Sequence, residues 1–174
     1  MDNPLIKIII PLVLILGVLR LAHRRSIPIG AEGLGIVPPP WLRTAVWVTT
    51  FGLWMLATDQ LMGWRGPWNW APWQEASPWV GIARVLAVAL LGPIAEELIF
   101  RGILYARLSR TRVGPIGAIA ILAAVWAAIH YSYAPPILGL LFLNGIWLGF
   151  ARRDCASVIP PILMHIVWNA YAVW

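Results

Sequence analysis

Glu96 and Glu97 stand side by side in LLGPIAEELIFRG, residues 90–102, with Arg101 four residues after Glu97. Every other side chain in that stretch is apolar, Gly or Pro. A charge at the centre of a bilayer costs at least roughly 2.5–3.5 kcal/mol on insertion scales, so charges in such a run ask for a function. On a helix, Glu97 and Arg101 share a face with the carboxylate first, the favourable order for an ion pair. Glu96 lies about 100° further round and can serve a different partner. Four more polar residues interrupt the apolar segments downstream: His130, Asn144, His165 and Asn169. His165 and Asn169 are again four apart and face one way together. A carboxylate and a histidine flanking a water form a general-base pair, and Glu96 can point towards His130. A histidine and an asparagine on a rigid face can donate to a developing oxyanion, which suits His165 and Asn169.

The elements that must position these groups are membrane helices. Of 174 residues, 60% are hydrophobic and 11% charged, against about 25% charged in a soluble domain. Twelve Trp and fifteen Pro fit a helical membrane protein, where interfacial Trp and in-helix Pro are tolerated. The net charge of +6 then reports loop arginines that set orientation, not a nucleic-acid partner. The single cysteine, Cys155, excludes an internal disulfide framework or a Cys-rich zinc site.

Six apolar segments are expected in one membrane domain spanning residues 1–174. The first, Leu5–Leu21, reads as a retained anchor, since its positive charge mostly follows the apolar run. A Gly/Pro-rich loop (26–40) leads to the second, Trp41–Met62. Residues 63–78, with Trp64, Trp68, Trp70 and Trp73, read as an interfacial aromatic belt. The third, Trp79–Leu108, would reach about 45 Å as one helix against a hydrocarbon core of about 30 Å. Gly92-Pro93 therefore marks a kink or split, with a new helix from Pro93 to about Ser109. Val113–His130, Pro136–Ala151 and Ala156–Trp174 follow, the last two joined by Arg152, Arg153 and Asp154. Arginines collect in alternate loops, which by the positive-inside rule puts residues 26–40, 109–112 and 152–154 in the cytoplasm and both termini outside. At about 1.5 Å per residue from those arginines, Glu96 and His165 lie at roughly 17 Å, Asn169 at roughly 23 Å and His130 at roughly 27 Å. Helix tilt of about 20° blurs each figure, so one layer can hold all four.

Glu96-Glu97-x-x-x-Arg101, then Trp126-x-x-x-His130, then His165-x-x-x-Asn169 resemble the three motifs of the CPBP family, the CAAX prenyl proteases and bacteriocin-processing (Abi) enzymes. The resemblance covers about residues 79–174. It implies an all-α polytopic intramembrane endopeptidase of the glutamate type, with no metal or cofactor. It implies catalytic roles for Glu96, His130, His165 and Asn169, and site support from Glu97 and Arg101. Trp126 stands where the family usually has Phe and is expected to shape the cavity, bearing on substrate fit more than on chemistry.

Blander readings apply elsewhere. Glu97–Arg101 is a structural ion pair, Asn144 is interhelical glue, Asp59 snorkels at a helix end, and Cys155 has no partner to make it a nucleophile. Two other functions use the same residues: a zinc hydrolase with His130, His165 and Glu96 as ligands, a legitimate set but without HExxH spacing, and a non-enzymatic transporter or adaptor with a proton relay. The absence of an internal repeat argues against a transporter. Expected partners are the bilayer and a membrane-tethered protein or peptide: a prenylated C-terminus, a bacteriocin precursor or a C-terminal sorting tail. The setting expected is a bacterial inner membrane.

Overall fold

The computed structural model describes residues 4–64 and 77–173. Among these the regular structure is entirely helical. In chain order the helices are α1 Pro4–Arg24, α2 Trp41–Met62, α3 Pro78–Leu108, α4 Gly114–Ile129, α5 Pro135–Cys155 and α6 Ile159–Val173. Proline opens several of them. Pro78, Pro115 and Pro135 occupy first-turn positions, where a missing N–H leaves no bond unmade. Gly63, at φ 58°, ends α2 with its N–H on the Asp59 carbonyl, a left-handed cap that glycine adopts without strain. Segments α1, α3 and α5 are long and apolar enough to cross a membrane. Helix α2 is long enough, but its threonines and Asp59 dilute it. With 16 and 15 residues, α4 and α6 reach only about 24 and 22 Å.

Of the kink or split expected at Gly92-Pro93, helix α3 shows no split. It runs without interruption through Gly92-Pro93, and the backbone changes register instead of breaking. Residues Leu86–Leu91 and Leu98–Leu104 are π-helical, with bonds reaching five residues back, as in Gly92 N–H to the Ala87 carbonyl. The wider turn accommodates Pro93 without a gap, and it changes which carbonyls remain free.

The second correction concerns Arg152, Arg153 and Asp154. They form the last turn of α5, not a loop. Arg152 is buried: its Nε donates to the Arg101 carbonyl (3.0 Å) and its Nη2 to the carbonyls of Ala31 (2.8 Å) and Gly33 (3.1 Å). Residues 28–37 thereby fold into a cap over this end of the bundle. Leu34 is fully buried there, Val158 N–H donates to the Gly35 carbonyl, and Ser157 Oγ to that of Val37. Gly35, at φ 74°, has the Arg152 guanidinium 2.7 Å from where a Cβ would sit. Arg43 of α2 pairs with Asp154 of α5, and Arg110 donates to the Glu32 carbonyl at the same end. The arginines of α2, of the end of α5 and of the turn after α3 therefore gather on one face of the bundle.

Trp64 is buried and stacks on Trp168 at 4.1 Å and 7°, so it packs in the core between α2 and α6. Trp68, Trp70 and Trp73 lie outside the described residues. Close packing elsewhere depends on small side chains. On α5, a Cβ at Gly145 would come within 2.8 Å of Ala123, and one at Gly149 within 2.6 Å of Ile119. This glycine seam lets α4 and α5 approach closely, as small-xxx-small contacts do in membranes. It sets Trp126 and His130 against α3.

Candidate active site

A cavity of about 290 Å³ opens among α3, α4, α5 and α6. Glu96, His130, His165 and Asn169 all line it, together with Trp126 and Tyr133. Its floor on α3 is the first π stretch and the residue after it, through Ala87, Val88 and Gly92. Four polar groups from α3, the end of α4, and α6 therefore share one chamber.

Trp126 organises the α4 side. Its indole Nε1 donates to Glu96 Oε2 at 2.7 Å, and its carbonyl lies 2.8 Å from His130 Nδ1. A carbonyl can only accept, so Nδ1 carries the proton and Nε2 remains available. His130 ends the helix at φ −92°, ψ 26°. Its ring is held between Trp126, edge-on at 5.3 Å, and Tyr133, stacked at 5.8 Å and 13°. Burial, then the nearby Glu96 carboxylate, push the Tyr133 phenol above its usual range, so its hydroxyl stays protonated. Glu96 was expected to face His130. The structure places its carboxylate on the Trp126 indole, which leaves Oε1 for a further partner.

Glu97 has a different setting. It is fully buried behind the cavity wall and does not line it. Its Oε1 accepts from Arg101 Nη1 and from His165 Nδ1, both at 2.9 Å. Arg101 also donates through Nη2 to the Gly145 carbonyl (3.1 Å), and its guanidinium sits 5.2 Å from the Trp126 ring centroid. The brace therefore extends to His165, a link the sequence reading did not include. Holding Nδ1 directs His165 Nε2 away from Glu97. Asn169 Nδ2 donates to the Val88 carbonyl at 2.9 Å, leaving its second N–H and Oδ1.

Other residues singled out by the sequence lie elsewhere. Asn144 is buried and accepts from Trp54 Nε1 at 2.9 Å, a bond between α5 and α2. Asp59 accepts from the Tyr171 hydroxyl at 2.7 Å. Cys155 is buried at the end of α5, away from the cavity. Among the described residues, no group of three or more His, Cys, Asp or Glu is arranged to hold a metal ion. Tyr133 and Trp168 line the cavity without having been singled out for it. Their spacing offered a faint signal, since each falls three residues after a cavity histidine.

Of the comparisons with known proteins, one finds a match. A family profile described as Rce1-like, type II CAAX prenyl endopeptidase, matches residues 77–171, from the start of α3 to near the end of α6. No curated protein and no solved structure matches.

Proposed function

From membership of the Rce1-like type II CAAX prenyl endopeptidase family, to which this chain belongs, we propose that it is an intramembrane endopeptidase in which Glu96 activates the attacking water. The observation that carries this reading is the chamber itself. Among the described residues Glu96 is the one carboxylate lining it, half-buried and tethered at a single oxygen, and His130 lines the same chamber with its Nδ1 on the Trp126 carbonyl. Family and helix composition together make the chain an integral membrane protein of a protease family.

In the proposed reaction, water in the chamber gives a proton to Glu96 Oε1 and its oxygen attacks the scissile carbonyl carbon. His130 Nε2 orients that water from the other side. The oxyanion formed takes hydrogen bonds from the second Asn169 N–H and from a protonated His165 through Nε2. Such donors act strongly because they are already aligned in a site of low dielectric. The C–N bond then breaks, and Glu96 returns its proton to the leaving amine. Glu97 and Arg101 take no proton in this scheme; they hold His165 in place.

The substrate class proposed is the C-terminal segment of a membrane-tethered protein or peptide. All six helices are proposed to be membrane segments in a bacterial inner membrane, with the arginine-bearing end cytoplasmic and both termini outside. The test is cleavage of prenylated and unprenylated C-terminal peptides by purified protein in detergent, with products identified by mass. Activity that survives exhaustive chelation is expected. Loss on chelation with recovery on zinc would point instead to a metal held by His130, His165 and Glu96. No cleavage of either peptide, by protein shown to be folded, would remove the reading.

A further inference from the structure

The Val88 carbonyl has no backbone partner in either helical register. In the α register its donor would be Gly92 N–H, which instead bonds to the Ala87 carbonyl. In the π register its donor would be residue 93, and Pro93 has no N–H. Asn169 on α6 supplies the missing bond through Nδ2, at 2.9 Å. Val88, Gly92 and Asn169 all line the cavity, whereas Pro93 is buried beneath it.

This arrangement decides how the Asn169 amide is presented. A carbonyl can only accept, so the nitrogen of the amide, and not its oxygen, faces α3. One N–H is occupied by Val88, which orients the second. Gly92 contributes to the same geometry, since a Cβ there would sit 3.1 Å from the Ala87 carbonyl that holds the π bond. We infer that Pro93 is a positioning residue of this site: by withholding a backbone N–H it leaves the Val88 carbonyl to Asn169, and so sets the orientation of the Asn169 amide in the cavity. The consequence for turnover rests on the peptidase reading above; the consequence for the amide does not.

If the bond were only interhelical glue, breaking it would lower stability and leave turnover per folded molecule unchanged. Replacing Pro93 by Ala in a helix interior restores a donor and improves helix propensity, which offsets the loss of the buried ring carbons. The test uses the full chain in detergent micelles with asparagine side chains labelled with nitrogen-15. The Asn169 amide signals are assigned by their loss in Asn169→Ala. Pro93→Ala is expected to shift those signals and to leave the thermal midpoint unchanged or higher. On a prenylated C-terminal peptide, kcat should fall roughly ten- to hundred-fold, short of the roughly 10²–10³ that loss of an oxyanion donor costs. KM should stay within about two-fold, because uniform binding is untouched. Adding Pro93→Ala to Asn169→Ala should lower kcat no further, since both changes act through one contact. Pro93→Ser, which restores the N–H with a different side chain, should shift the amide in the same way. Unshifted Asn169 signals in both variants, or additive losses in the double variant, would overturn the inference. Should the wild type cleave no peptide, the function proposed above fails on its own, and the amide signals still decide this point.

Discussion

The two sides of α3 carry adjacent glutamates into opposite circumstances. On the cavity side, Glu96 is half-buried and keeps one oxygen unbound by protein, and the first π stretch leaves a carbonyl for Asn169. On the core side, Glu97 is fully buried between Arg101 and His165, and inside the second π stretch the Arg101 carbonyl goes to Arg152. Both sides use a non-α backbone and a side chain from a distant helix. The difference lies in what each carboxylate meets: Glu96 keeps one oxygen unbound by protein and lines the chamber, whereas Glu97 is enclosed, its Oε1 held by Arg101 and His165 and its Oε2 buried without a hydrogen-bond partner. One helix can therefore present one carboxylate to the chamber and the next to the core, about 100° apart.

The strongest way to break this contrast is to remove the core side. Glu97→Ala leaves the Arg101 guanidinium buried without its carboxylate, a loss of about 3–5 kcal/mol for a buried pair. Arg101→Ala should be equally damaging and Arg101→Lys milder, read as yield and thermal midpoint in detergent. If all three melt like the wild type, the core side is not structural.

Arg152→Met is expected to cost somewhat less, about 2–3 kcal/mol, because it strands buried carbonyls without leaving an unpaired charge. Hydrogen exchange should rise first in residues 28–37, while turnover per folded molecule is retained. Uniform exchange across the bundle would mean that Arg152 holds more than the cap.

Trp126→Phe probes the cavity side more gently. It keeps a ring against His130 but removes the Nε1–H that tethers Glu96, a bond to a charged group worth about 1.5–3 kcal/mol. Turnover per folded molecule should fall roughly ten-fold, with a lowered thermal midpoint because the bond and part of a buried ring are lost together. An unchanged rate would show that Glu96 needs no tether.

How much of this was readable beforehand follows from which interactions are local. Apolar runs, proline starts and the four-residue spacings of Glu97–Arg101 and His165–Asn169 depend on near neighbours, and they led directly to the helices and to the polar residues of the chamber. The bounds of α2 match the apolar segment read from its residues. The π register of α3 was hidden, because Pro93 in isolation signals a break. The carbonyl that the π register leaves at Val88 is met by a donor from α6, a partner distant in sequence. Arg152 read as a loop residue because a buried guanidinium needs acceptors, and those come from residues 31, 33 and 101. The Glu97–His165 bond joins residues far apart in sequence, so spacing could not reveal it. Trp64 looked interfacial because its core partner, Trp168, arrives from the other end of the chain.

The most direct test of the division between the two glutamates is to measure thermal stability and turnover for Glu96→Gln and Glu97→Gln side by side. Glu96→Gln should insert, fold and melt like the wild type, with cleavage reduced by about 10²–10⁴-fold, as expected for losing a general base. Glu97→Gln should melt lower, since a neutral amide cannot balance Arg101, and its folded fraction should still cleave. A Glu97→Gln protein that is stable yet inactive, beside a Glu96→Gln protein that still cleaves, would reverse the assignment.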